Sequence, residues 1–215
     1  MNLPNSMTMS RIACVPLLIW SLSSHFPIHG AHGEQEIFAS VLYILAAVTD
    51  GLDGYFARRR SQVTTMGMLL DPLADKLLVT AGYICLIPLV PDIVMPWIAV
   101  LVIGREFLIS GLRSIAAGEG FTIQASEIGK LKTVCQTVSV VAAILAHRWF
   151  EWNWGGFIVP VHYVAIAAIY WMTFISILSA ADYFISFWRK IDHAGTERIK
   201  ERQTVVLNAK KPQRA

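Results

Sequence analysis

Charge is scarce in this chain. Only 15% of its 215 residues are Asp, Glu, Lys or Arg, well short of the roughly 25% that soluble domains use to stay in water. Hydrophobic residues make up 55%, and mean hydropathy is +0.52. An ordinary water-soluble domain is excluded. Cysteine is rarer still: Cys14, Cys85 and Cys135 fall singly in apolar stretches. An odd number without paired spacing excludes a disulfide framework and a thiolate metal site, and predicts buried free thiols. No Ser-His-Asp or Cys-His set stands out, which argues against covalent acyl or thiol chemistry. His25, His29 and His32 with Glu34 lack regular metal-ligand spacing. There is no repeat, no second globular domain and no nucleic-acid module.

What is present is a series of long apolar blocks. They predict helices over 8–23, 37–57, 67–90, 93–117, 129–146 and 159–188, most of them near the length needed to cross hydrocarbon. The expected fold is therefore all-α, an integral membrane bundle of six transmembrane helices formed by residues 1–188. No basic n-region or small-residue cleavage site frames the first block, so it is expected to be retained. Residues 189–215 form a basic tail, eight cations against Asp192, Glu197 and Glu201 for a charge of +5, expected to be disordered toward its end and drawn to anionic lipid.

Orientation follows from where Lys and Arg fall in the short connections. Arg58, Arg59 and Arg60 follow the second block, Lys130 and Lys132 open the fifth, and Arg189 and Lys190 follow the sixth, whereas the opposite loops hold only Arg148 and carry Trp97, Trp149, Trp152 and Trp154. Both termini and the cation-rich ends are expected on the cytoplasmic side, with the tryptophans in the opposite interface.

The few acids are not scattered. They read Asp50-x-x-Asp53-Gly54-x-x-Ala57-Arg58, then after eight residues Gly67-x-x-x-Asp71-x-x-x-Asp75. At about 100° per residue, Asp50, Asp53, Gly54 and Ala57 share one helix face, and Gly67, Asp71 and Asp75 share one face of the next. Four carboxylates so close in a partly desolvated place repel one another unless cations hold them, and hard oxygen ligands favour Mg²⁺ or Mn²⁺. The spacing predicts a binuclear metal site at the cytoplasmic membrane surface. A cation or proton path is the rival reading, since acids inside membrane helices often mark one. The acids stay near one face, however, and Arg58 beside them favours an anion.

All eight fixed positions of this pattern match the signature of the CDP-alcohol phosphotransferases, membrane enzymes of phospholipid synthesis, which the chain resembles. If each position matched at about one in twenty, chance would produce the set on the order of once in 10⁸ such chains. The resemblance implies two Mg²⁺ or Mn²⁺ ions on Asp50, Asp53, Asp71 and Asp75, with Asp75 also taking the proton from the attacking hydroxyl. It implies a CDP-lipid held along Gly54, Ala57 and Arg58, with Thr64 as a hydroxyl donor and Gly67 allowing close helix packing. It also implies a homodimer.

The segments Gly104-Arg105-Glu106, Ser110-Gly111-Leu112-Arg113 and Ile128-Gly129-Lys130-Leu131-Lys132-Thr133, with the opening Leu3-Pro4-Asn5, Thr8 and Arg11, look like the bacterial phosphatidylglycerophosphate-synthase branch of that family. The expected donor is then CDP-diacylglycerol and the expected acceptor sn-glycerol 3-phosphate. Arg105, Arg113, Lys130 and Lys132 would bind the acceptor, in the inner membrane of a bacterium. Serine, inositol or its phosphate, and phosphatidylglycerol are the rival acceptors within the family.

Overall fold

In the computed structural model, six helices and one small hairpin follow in order: α1 Leu3–Ser21, α2 Glu34–Arg60, α3 Thr65–Leu89, α4 Pro96–Gly118, α5 Glu127–Arg148, β1 Trp152–Trp154, β2 Phe157–Val159 and α6 Val161–Ala209. The structure describes the backbone of residues 3–27, 32–60, 65–118 and 127–209, and the side chains of 9–27, 32–49, 73–74, 76–118, 132–153, 155–156, 158 and 159–191.

Each apolar block becomes a helix because only helical pairing satisfies a long apolar stretch's own amides without water. Charges favour several ends: Glu34 and Glu36 lie in the first turn of α2, and His147 and Arg148 in the last turn of α5, each matching the helix dipole. Glu36 and His147 also meet, 2.9 Å apart, joining the start of α2 to the end of α5.

That end of the bundle is closely tied. Gln35 Nε2 donates to the carbonyls of Ser21 (2.8 Å) and Ser23 (3.1 Å), linking α1 to α2. Phe150 stacks on His162 with ring centroids 4.9 Å apart, and Trp97 at the start of α4 meets Tyr170 of α6 edge-on at 6.4 Å. The end of α2 and start of α3, and the end of α4 and start of α5, thereby lie at the other end, where Arg58, Arg59, Arg60 and Lys130 fall in the sequence. Successive helices run up and down.

The core runs through all six helices. Leu18, Tyr43, Leu86, Val102, Ile144 and Met172, one from each, are fully buried. Within this core the helices pack closely at Gly82, where a Cβ would lie 3.2 Å from the Tyr43 ring and 3.3 Å from Val140. Beside it the buried Tyr83 hydroxyl and Ser139 Oγ are 3.1 Å apart. The outside is apolar as well: Val100 is 71% exposed, and Trp171, Phe174, Ile177 and Trp188 face outward, the reverse of a soluble helical protein. Among the described residues, 161–191 form a helix long and apolar enough to cross a membrane, with mean hydropathy 2.0.

Three features differ from expectation. A two-stranded antiparallel hairpin, Trp152 opposite Val159, interrupts the all-α chain. Its turn is Gly155-Gly156 with φ of 57° and 103°, the left-handed pair that a two-residue hairpin loop requires. The sixth helix does not stop at Trp188 but continues to Ala209, since a polar sequence without proline keeps its backbone pairing. The three free cysteines are part-buried rather than buried.

Candidate active site

The acidic motif lies on two helices joined by a short connection. Asp50, Asp53, Gly54, Ala57 and Arg58 fall within α2, with Arg58 in its last turn, and Gly67, Asp71 and Asp75 fall within α3. Unbroken helix through both stretches sets the register in which Asp50, Asp53, Gly54 and Ala57 recur on one face of α2, and Gly67, Asp71 and Asp75 on one face of α3. Their side chains, and Thr64 altogether, lie outside the described residues. As a donor set, four carboxylates on adjacent helices fit a hard divalent cation bound through oxygen.

Lys76, the residue after Asp75, places this motif relative to the rest of the bundle. Its Nζ lies 5.9 Å from the centre of the Phe107 ring on α4. The Lys76 side chain thus reaches the stretch of α4 that carries Arg105 and Glu106.

At that level the structure brings together two of the four expected acceptor residues. Arg105 Nη1 donates to Glu106 Oε1 at 3.0 Å, and Lys132 Nζ from α5 forms an ion pair with the same carboxylate oxygen. Arg105 Nη2 also donates to Ser179 Oγ on α6. The Arg105 and Lys132 side chains are each only 8% exposed, so their charges act where water screens little. Two cations around one carboxylate leave a net positive charge, a composition suited to an anion.

Arg113 is placed differently. Two turns further along α4, its Nε donates to the Tyr183 hydroxyl of α6 at 3.4 Å, and its guanidinium lies 5.7 Å from that ring's centre. Lys130 is in the first turn of α5, its side chain outside the described residues. Ser179 and Tyr183 were not among the residues singled out from sequence. The pair is four apart on one face of α6, a spacing that helical periodicity exposes, but neither residue type advertises itself in a helix rich in both.

A family model described as CDP-alcohol phosphatidyltransferase matches residues 1–188. The chain is 35% identical over 196 residues to the CDP-diacylglycerol--glycerol-3-phosphate 3-phosphatidyltransferase of Bacillus subtilis (strain 168), covering 88% of this chain and 97% of that one. It is 32% identical over 183 residues to the protein of the same name from Rickettsia bellii (strain RML369-C), covering 85% and 93%. A cardiolipin synthase (CMP-forming) of Oryza sativa subsp. japonica is 36% identical over 160 residues, which is 69% of this chain and 46% of that one.

Proposed function

Because the chain belongs to the CDP-alcohol phosphatidyltransferase family, we propose that it transfers the phosphatidyl group of CDP-diacylglycerol to sn-glycerol 3-phosphate, giving phosphatidylglycerol phosphate and CMP. The observation that carries this reading is the nearly end-to-end match to relatives named for that reaction. The buried cationic cluster of Arg105 and Lys132 supports the anionic acceptor, because a phosphate gains charge-assisted hydrogen bonds there that serine or a neutral polyol lacks.

In the reaction, a hydroxyl oxygen of the acceptor attacks the phosphorus attached to diacylglycerol. The bond from that phosphorus to the oxygen of the CMP phosphate breaks, and CMP leaves. Asp75 takes the hydroxyl proton as general base. Arg58 offers a planar fork to the diphosphate, with Thr64 as hydroxyl donor, and Gly54 and Ala57 keep the α2 face shallow enough for the nucleotide. Gly67 allows α3 to start close against α2. Arg105, Lys132, Arg113 and Lys130 hold the acceptor phosphate. Asp50, Asp53, Asp71 and Asp75 would hold two divalent cations, Mg²⁺ or Mn²⁺, as is general in this family, supplying neutralisation of the phosphoryl oxygens.

The apolar exterior and the up-down order of the helices support six membrane spans in a bacterial inner membrane. The distribution of Lys and Arg supports cytoplasmic termini and a cytoplasmic site. In this reading residues 1–188 are the catalytic domain, 189–215 extend from it on the cytoplasmic side, and two copies form a homodimer.

The test is CMP release from CDP-diacylglycerol by the pure protein with a panel of acceptors. Strong preference for glycerol 3-phosphate over glycerol, serine, inositol phosphate and phosphatidylglycerol is expected. Preference for phosphatidylglycerol would move the protein toward the cardiolipin synthase it also resembles, and absence of CMP release with every acceptor would remove the enzyme assignment.

A further inference from the structure

The acceptor cluster has a second side. Between α4 and α6 lies a cavity of ≈ 560 Å³, within the roughly 300–1,000 Å³ of ordinary ligand sites. Val100, Gly104 and Leu108 form one wall, and Ile177, Ala180 and Phe184 form the other. Small residues open the space: a Cβ on Gly104 would meet nothing within 4 Å. The walls run about 12 Å along the helix axis from Val100 to Leu108, and both rims are apolar and outward-facing.

Polar groups also line this apolar cleft. Arg105 and Ser176 belong to its lining, Ser176 is fully buried, and the Arg105 side chain is 8% exposed. Arg105 Nε and Ser176 Oγ have no hydrogen-bond partner among the described residues. Buried donors without partners in a membrane-facing cleft call for a ligand that carries both a long apolar part and acceptor oxygens.

We propose that the α4–α6 cleft binds a membrane glycerophospholipid with an anionic headgroup, an acyl chain lying between the two helices and its oxygens on Arg105 Nε and Ser176 Oγ. The charge is complementary, since the one charged residue of the lining is the cation Arg105. The lipid is distinct from the CDP-lipid donor, because Gly54, Ala57 and Arg58, along which the donor's nucleotide is proposed to lie, are on α2, which packs on α1, α3 and α5, while the cleft is walled by α4 and α6. The inference rests on the membrane-spanning part of the proposed function, not on the identity of the acceptor.

The test uses the full chain reconstituted in liposomes containing phosphatidylglycerol with a photoreactive group in one acyl chain, mapping adducts by peptide mass spectrometry. Adducts are expected to concentrate on the α4 and α6 segments bearing Val100, Leu108 and Ile177. Gly104→Leu, whose side chain has room to enter the cleft without disturbing the fold, should reduce them about tenfold by occupying the chain's place. Ser176→Ala should reduce them about 2- to 10-fold, the loss of one hydrogen bond. Equally labelled helices all round the bundle, or unchanged labelling in Gly104→Leu, would overturn the site. Equal labelling by photoreactive phosphatidylethanolamine would overturn the anionic preference. Displacement by CDP-diacylglycerol would assign the cleft to the donor instead, and disulfide-linked dimers of Ile177→Cys in a cysteine-free variant would assign it to a second copy. CMP release by Gly104→Leu reports on the enzyme reading separately: a variant that still turns over but no longer labels isolates the lipid site.

Discussion

Glu106 of α4 and Lys132 of α5 form an ion pair in which the side chains are only 16% and 8% exposed, and Arg105 donates to the same Glu106 oxygen. One carboxylate therefore holds two cations from different helices in one place. In the proposed acceptor role, Lys132→Ala deletes a charged hydrogen bond to the acceptor phosphate, typically about 1.5–3 kcal/mol. The KM for glycerol 3-phosphate should rise about 10- to 100-fold, with the KM for the CDP-lipid changed much less. Equal effects on both KM values would detach Lys132 from the acceptor.

Glu106→Ala has a different expected signature. It leaves two buried cations without their shared counter-charge, a type of loss that costs about 3–5 kcal/mol when a buried pair is broken. Thermal unfolding in detergent should drop by several degrees. The double variant Glu106→Gln/Lys132→Met should recover much of that stability while remaining poor toward glycerol 3-phosphate. Recovery of both properties would show that the pair is purely structural.

The Arg113–Tyr183 contact separates a ring from a hydroxyl. Tyr183→Phe keeps the face that the guanidinium approaches at 5.7 Å and removes only the 3.4 Å hydrogen bond. Tyr183→Leu removes both. Because a cation–π contact is worth about 0.5–2 kcal/mol, the acceptor KM should rise little in the first variant and severalfold in the second. A larger defect in Tyr183→Phe would make the hydroxyl the operative group.

The helices were legible because each is an apolar block closed by charges, turns or proline, and their observed bounds lie close to the expected ones except at the start of α1, which begins at Leu3 rather than residue 8, and at the end of α6. There, polarity after Trp188 looks like an ending, yet a helix ends where its backbone pairing is broken, and the next proline is Pro212. The hairpin was hidden because Trp152, Asn153 and Trp154 also suit an interfacial loop. Its signal was Gly155-Gly156. Within the site, spacing exposed the acids since all lie within two successive helices. Ser179 and Tyr183 stayed hidden because their partners Arg105 and Arg113 are 74 and 70 residues away, and only the packing of α4 on α6 brings them together.

Gly33 offers a test of the tied end of the bundle apart from the site. Its φ is +82°, and a Cβ there would lie 2.5 Å from the Trp149 ring. Gly33→Ala faces backbone strain of about 1–3 kcal/mol plus that clash. It should lower the unfolding temperature, while CMP turnover by the folded fraction stays near wild type. Unchanged stability would mean that Trp149 and the loop before α2 readjust freely.

Topology can be read with single cysteines in a variant lacking Cys14, Cys85 and Cys135. Ser61 is the residue after Arg60, the last of α2, and Asn153 lies exposed in β1, toward the other end of the bundle. An impermeant thiol reagent added outside intact cells should modify Asn153→Cys and spare Ser61→Cys until the membrane is permeabilised. Labelling of Ser61→Cys in intact cells would reverse the orientation and remove the cytoplasmic site with it.

Asp75 carries the sharpest mechanistic claim, because it ends the acidic stripe on α3 immediately before Lys76, whose ammonium lies 5.9 Å from the centre of the Phe107 ring on α4. In the proposed mechanism the Asp75 carboxylate meets the attacking hydroxyl. Asp75→Asn keeps size and hydrogen-bonding capacity but removes the charge and the proton-accepting oxygen. Loss of a general base costs about 10² to 10⁴ in rate, and weaker cation binding adds to the defect at low metal. Raising Mg²⁺ or Mn²⁺ should restore the binding part alone, so kcat at saturating metal should remain at least about a hundredfold down. The measurement is kcat of folded, detergent-purified Asp75→Asn across a metal titration. Turnover near wild type at saturation would leave Asp75 as a metal-side acid and require another group to take the proton.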